Sequence, residues 1–149
     1  ITDTKPKKIK LKNLPYRYQM VANNVINDSK STNYHSLSYA LKEAKNFFRG
    51  SNFVLIVCGD PKKENFRNIS LHEPEEVFIF GVHSKDIDKC INHPKKTMMS
   101  SLSQTLETIY KQRTTKNILF SPGYPSGKDF NNFKERGEHF NLLLKNYIS

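Results

Sequence analysis

Residues 53–58 read Phe-Val-Leu-Ile-Val-Cys, an unbroken apolar run closed by Gly59. A run this short and this rich in aliphatic residues suits a strand buried on both faces, as the strands of a parallel sheet are. Working outward, Val77–Phe80 (VFIF) and Asn117–Phe120 (NILF) have the same character. Tyr16–Ala22 and Val25–Asn27 read as two short strands joined by a tight turn at Asn23-Asn24. Helical spacing lies between these runs. Leu37, Ala40, Leu41, Ala44, Phe47 and Phe48 mark one helix, ended by Gly50. A short helix is expected near Asp86–Ile91. Ser101 and Gln104 form a capping box before Leu102, Thr105, Leu106, Ile109 and Tyr110. Phe130, Phe133, Phe140, Leu144 and Tyr147 mark a last helix. Strands alternating with helices predict a single α/β domain: a Rossmann-like, mostly parallel sheet with helices on both faces.

The chain has 149 residues, a net charge of +10 and a pI of about 9.6. Such a charge attracts phosphates, although exposed positions that simply drift toward lysine give the same balance. The run Lys5, Lys7, Lys8, Lys10, Lys12 reads as a solvated tail or linker, and residues 1–13 as a connector. No apolar run approaches the ~18 residues of a membrane span, and the N-terminus has no signal-peptide character. Cys58 and Cys90 read as free thiols, which suits a reducing cytoplasm. No paired Cys or His spacing points to a metal site.

Ligands of such sheets bind at the carboxyl ends of the strands. The loops leaving those ends are NDSKSTN (27–33), GDPKKE (59–64), GVHSK (81–85) and SPGYPSGKDF (121–130), and each contains a lysine. They are expected to converge on one edge and to receive an anion. In NDSKSTN, Asp28, Lys30 and Thr32 share a face if the chain stays extended. Ser31, Thr32 and Asn33 are all suitable N-caps, so a helix cap with a local Asp–Lys pair is the competing reading. His35, His83 and His139 read as surface or cap residues and Arg136 as structural. Neither GxGxxG nor GxxxxGK[ST] is present, so a nucleotide's phosphate cradle would have to come from another domain.

NDSKSTN closely resembles the NDSKATN stretch that opens the C-terminal domain of the Mur ligases that add D-glutamate. Leu14-Pro15-Tyr16-Arg17 is similar to the LPHR before it, Phe53–Asp60 to the strand and GGDGK loop, and Val77–Gly81 to the next strand with its glycine. SPGYPSGKDFNNFKERGEHF, Ser121–Phe140, resembles the SPACASxDQFxNFxxRGxxF block. The blocks occur in the family's order from Leu14 to the C-terminus. Sister ligases carry DDYGHHP, DYAHTP or DDSYNANP at the first position.

The resemblance implies an ATP-dependent ligase of peptidoglycan precursor synthesis in the bacterial cytoplasm. It would activate the alanine carboxylate of UDP-N-acetylmuramoyl-L-alanine as an acyl phosphate, which the D-glutamate amine attacks. Residues 14–149 would be the C-terminal domain, partnered by N-terminal and central domains that hold the UDP sugar, the P-loop and most contacts to ATP and Mg2+. Alone, such a domain is expected to be inactive. By motif position, Asp28 would hold the ATP ribose, Lys30 would face the nucleotide and the reacting centre as the catalytic cation, and Arg17 would face the phosphates. Thr32 and Lys62 would take one carboxylate of D-glutamate, Ser126 and Phe133 the other. Phe133 would act through a backbone amide near a helix start and through pocket shape. Tyr16 stands where the family has His, Pro61 replaces a glycine beside Lys62 and Lys63, and Tyr124 replaces a small residue.

The alternative class is a non-catalytic basic α/β module for nucleotide or nucleic acid. Nucleic-acid binding calls for exposed aromatics beside clustered lysines. Here the aromatics fall mostly in apolar-periodic positions, which argues against it.

Overall fold

The computed structural model describes residues 15–112 and 116–148. The expected connector 1–13 and Leu14 lie outside the described residues. In chain order the elements are β1 (Gln19–Ala22), β2 (Val25–Asn27), α1 (Tyr34–Phe47), β3 (Val54–Cys58), a 3-10 turn (Pro61–Glu64), β4 (Ile69–Ser70), β5 (Glu76–Phe80), α2 (Ser84–Cys90), β6 (Ile91–Asn92), β7 (Lys96–Met99), α3 (Leu102–Gln112), β8 (Ile118–Gly123) and α4 (Phe133–Leu144). The main sheet runs β1-β2-β8-β3-β5-β7. Among its described strands only the β1–β2 hairpin is antiparallel, while β4 and β6 form a small separate parallel ladder.

The apolar run at 53–58 is buried on both sides because its side chains alternate between two cores. Leu55 and Val57 pack with Leu37, Ala40, Leu41 and Ala44 of α1. Val54, Ile56 and Cys58 pack with Leu102, Leu106 and Ile109 of α3 and with Phe140 and Leu144 of α4. β5 and β8 repeat the alternation, with Val77, Ile79 and Leu119 on the α1 side and Phe78, Phe80, Ile118 and Phe120 on the other. Fully burying each such side chain contributes ~1.5–3 kcal/mol, so these two layers dominate the stability of the sheet. Phe120 and Phe140 stack with centroids 4.5 Å apart.

Three local expectations are corrected, and one strand was not read. The strand expected over Tyr16–Ala22 starts only at Gln19, since Tyr16 and Tyr18 have φ of 68° and 49°, which no extended strand contains. The strand at NILF continues to Gly123. The capping box at Ser101 is half made: Ser101 Oγ accepts from Gln104 N at 3.0 Å, but Gln104 Oε1 accepts from Ser100 N at 2.8 Å. Finally, β7 was invisible as a strand. Its Lys96-Thr97-Met98-Met99 lies on the sheet edge and is only partly covered, so it has no buried run. Lys96 Nζ turns back to donate to the carbonyls of Asp88 and Ile91 at the end of α2, at 2.6 and 2.9 Å.

The β3 exit is the tightest point of the site-bearing edge. Gly59 has φ +121°, and a Cβ there would sit 2.3 Å from the Pro125 carbonyl oxygen. Gly50 also has positive φ, at +80°, but no atom within 4 Å of an added Cβ. Gly59→Ala should therefore combine backbone strain with overpacking, a loss of roughly 2–5 kcal/mol. Gly50→Ala should cost about 1 kcal/mol. Urea unfolding of both variants checks this, and equal losses would contradict the packing described.

Candidate functional site

Because β2, β8, β3 and β5 are parallel neighbours, the loops after them leave by one edge. Hydrogen bonds join these loops to one another. Asp60 N donates to the Pro125 carbonyl at 2.9 Å, and Gly123 N donates to the Ser31 carbonyl at 3.1 Å. At their centre lies Arg136 of α4, with no solvent exposure. Its Nε donates to Ser29 Oγ at 3.0 Å, Nη2 to the Ser29 carbonyl at 2.7 Å and Nη1 to the Tyr124 carbonyl at 3.0 Å. Burial lowers its pKa from the ordinary value, while Cys58, Asp129 and Asp28 favour the cation. The expectation that Arg136 is structural thus matches its position.

The NDSK segment is not extended. Ser31 N donates to the Asp28 carbonyl at 2.9 Å, closing a turn at Ser29-Lys30, so the extended run on which the alternation of Asp28, Lys30 and Thr32 depended does not form. The turn is fixed from outside as well, since Lys30 N donates to the Tyr16 carbonyl at 2.8 Å. Of the three possible caps, Asn33 is the one used, its side chain accepting from Ser36 N at 2.8 Å.

A cleft of about 530 Å3 opens beside this turn, between α1 and the residues leading into β1. Arg17, Asp28 and Lys30 all line it. So do Tyr18, Ser31, His35, Ser36, Tyr39, Ala40 and Glu43. The α1 residues among them were not read as site residues. Their signal was the spacing Ser36, Tyr39, Glu43, one helix stripe beside the buried one.

Asp28 is 8% exposed. Its Oδ1 accepts from Tyr18 N at 2.8 Å and its Oδ2 from Ser121 Oγ at 2.9 Å. Burial pushes its pKa up to about 7 in spite of these bonds and of Arg136 and Arg17. An ionised carboxylate has about four acceptor positions, so it retains capacity for donors arriving from the cleft.

Thr32, Lys62, Ser126 and Phe133 stand on the same edge but outside the cleft lining. Lys62 is carried by the 3-10 turn, its N–H donating to Asp60 Oδ1 at 3.0 Å. Lys62 and Lys63 are both exposed. Glu64 Oε1 accepts from Tyr34 N at 2.6 Å, pinning this turn to the start of α1. Pro61 fits as the first residue of the turn and is buried, so it leaves no unmet donor. Tyr124 points into the α1-side core and is 4% exposed, so its bulk does not enter the cleft. Ser126 is 9% exposed, and the cap of α4 is Asn132. Phe133 opens α4. Its carbonyl accepts from Ser29 Oγ at 2.8 Å, and its ring lies under Lys30 Nζ, 4.2 Å from the centroid.

Among the described residues no three His, Cys, Asp or Glu side chains are placed to hold a metal ion, and no helix is long and apolar enough to cross a membrane.

The raised Asp28 pKa makes stability depend on pH. Between 3.8, its ordinary value, and about 7 the folded chain holds a proton that the unfolded chain has released. Stability contributed by Asp28 therefore falls as pH rises through that window and is level above it. At ~1.4 kcal/mol per unit, the effect is on the order of a few kcal/mol. Asp28→Asn, which keeps an acceptor for Tyr18 N, should gain stability over the parent as pH rises from 4 to 7. Urea midpoints across that range check this, and a difference independent of pH would contradict it.

No protein-family model matches the chain. Curated relatives do. The protein named UDP-N-acetylmuramoylalanine--D-glutamate ligase of Petrotoga mobilis is 32% identical over 145 residues, covering 90% of this chain and 32% of that protein. The protein of the same name from Buchnera aphidicola subsp. Acyrthosiphon pisum is 35% identical over 141 residues, 89% of this chain and 31% of its own length. That of Hydrogenobaculum sp. is 33% identical over 144 residues, 91% and 34% respectively. The chain spans about a third of the length of the curated relatives it matches. Over some nine-tenths of its length it is a homologue of UDP-N-acetylmuramoylalanine--D-glutamate ligases, as its motifs indicated, and is consistent with a C-terminal portion of such an enzyme.

Proposed function

We propose that this chain serves as the C-terminal, D-glutamate- and nucleotide-contacting domain of an ATP-dependent ligase that adds D-glutamate to UDP-N-acetylmuramoyl-L-alanine in the cytoplasm. The reading is supported first by one observation: Asp28, Arg17 and Lys30, assigned to the nucleotide by motif, line one cleft. Thr32, Lys62, Ser126 and Phe133, assigned to D-glutamate, stand on the same sheet edge. In this reading Asp28 accepts the ribose hydroxyls, Arg17 faces phosphate, and Lys30 neutralises charge that builds between phosphate and acyl carbon. Thr32 and Lys62 take one carboxylate of D-glutamate, and Ser126 with the Phe133 amide takes the other, through charge-assisted hydrogen bonds. Mg2+ accompanies the ATP phosphates. We assign its ligands to other parts of the ligase, together with the phosphate cradle and the UDP-sugar site.

Lys62 gives the sharpest test, made in a full-length ligase carrying this segment. Removing one partner of a desolvated charge pair costs ~2–5 kcal/mol, roughly thirty-fold or more in affinity. A lysine on a solvated loop contributes only ~0–1 kcal/mol. Lys62→Ala should raise KM for D-glutamate about thirty-fold or more and barely change KM for the UDP sugar, whereas Lys63→Ala should do little. The reverse order would make Lys63 the ligand. If neither variant changes D-glutamate dependence, this turn does not bind the amino acid.

A further inference from the structure

Lys30 differs from an ordinary cleft lysine in what holds its ammonium. None of the ion pairs among the described residues includes it. The nearest carboxylate in sequence, Asp28, already accepts from Tyr18 N and Ser121 Oγ. Its Nζ instead lies 4.2 Å above the centroid of the Phe133 ring. That contact is built from both sides. The Lys30 backbone is fixed by its hydrogen bond to the Tyr16 carbonyl. The Phe133 carbonyl is held by Ser29 Oγ, and one turn further along α4 Arg136 grips Ser29 twice. Ring and ammonium thus belong to segments clamped together through Ser29, the neighbour of Lys30, and the carbonyl of Phe133 itself.

The geometry points to Phe133 as a positioning residue for Lys30, its ring face holding the ammonium until an anionic phosphoryl oxygen takes it. This rests on the proposed ligase reading for the identity of the anion, but not for the contact itself. The physical argument is one of graded strength. A long lysine side chain loses considerable rotamer freedom when fixed. A carboxylate partner would fix it but neutralise it. An aromatic face attracts the cation by ~0.5–2 kcal/mol and leaves its charge intact. Hydrogen bonds from a cation to an anion are typically stronger, so the ring guides the ammonium without trapping it. A Phe133 that merely fills space, or that acts only through its backbone amide, has no such dependence on the electron density of its ring.

Two measurements decide this. The first is NMR on the 149-residue chain. The Lys30 ε-methylene protons should lie upfield of those of the other lysines because of the ring current, and should return to ordinary positions in Phe133→Leu. Ordinary positions in the parent chain would overturn the contact whatever the enzyme's substrate. The second is kinetics of a full-length ligase in which Phe133 is replaced by phenylalanines with one, two and three ring fluorines. Their shape is nearly constant while their attraction for cations falls stepwise. The kcat/KM for ATP should fall stepwise with fluorination, by about two- to thirty-fold in all, the range corresponding to the cation–π energies above. KM for D-glutamate, which depends on the backbone amide, should stay level, and Lys30→Met should abolish the fluorine dependence. A flat fluorine series, or one that persists without Lys30, would overturn the positioning role. Because the NMR result needs no turnover, failure of this inference and failure of the ligase reading are distinguishable.

Discussion

The guanidinium of Arg136 is the tie on which the site-bearing edge depends. It is buried without solvent, and an unpaired cation there would cost several kcal/mol. It is instead satisfied by the Ser29 hydroxyl and carbonyl and by the Tyr124 carbonyl. Those partners sit in the loops after β2 and β8, while Arg136 itself belongs to α4. One planar cation therefore sets the spacing of three chain segments that are distant in sequence. A point charge could not do this, because the three bonds use the fixed fork of the guanidinium. The rest of the edge is arranged around it. The clamp on Ser29 sets the turn that presents Lys30, the clamp on Tyr124 fixes the β8 exit, and the Pro125 carbonyl then holds Asp60 and the turn carrying Lys62.

This explains how a domain can present groups to a ligand without enclosing it. The cleft beside the NDSK turn is open and lined by one wall of α1. The D-glutamate residues proposed above lie outside the cleft lining, beside loops whose backbones are already hydrogen-bonded to one another. Rigid loops with exposed side chains suit a surface that another part of a ligase closes upon. They keep ordering costs low at closure. The chain spans about a third of its relatives' length, so the complementary surface belongs, in the proposed reading, to the remainder of such an enzyme.

Much of this was legible in the sequence, for physical reasons that differ by element. β3 and β5 announce themselves because strands buried on both faces are apolar at every position. α1 does so through its Leu37, Ala40, Leu41, Ala44 stripe. Convergence of the loops followed from parallel strands alone. The edge strand β7 was not legible, since a half-covered Lys-Thr-Met-Met has neither an apolar run nor clean alternation. The true start of β1 was hidden by the positive φ of Tyr16 and Tyr18, which the residue types do not advertise. The conformation of Asp28–Thr32 was left open between an extended run and a helix cap, and a hydrogen-bonded turn forms instead of the run. Arg136 showed its place in a motif but not its partners, which are mostly backbone carbonyls and leave no mark in composition. The cleft-facing stripe Ser36, Tyr39, Glu43 was present as a helical period but polar, and so resembled an ordinary solvated face.

Amide hydrogen exchange on the Arg136→Lys variant of this chain tests the central role of the guanidinium most directly. Lysine keeps the charge but loses the fork. If Arg136 sets the edge, the amides of Ser31, Gly123 and Asp60 should all exchange faster together, while those of Leu55, Val57 and Ile79 in the sheet keep their protection. Unchanged protection at those three loop amides, or an equal loss throughout the sheet, would contradict the account.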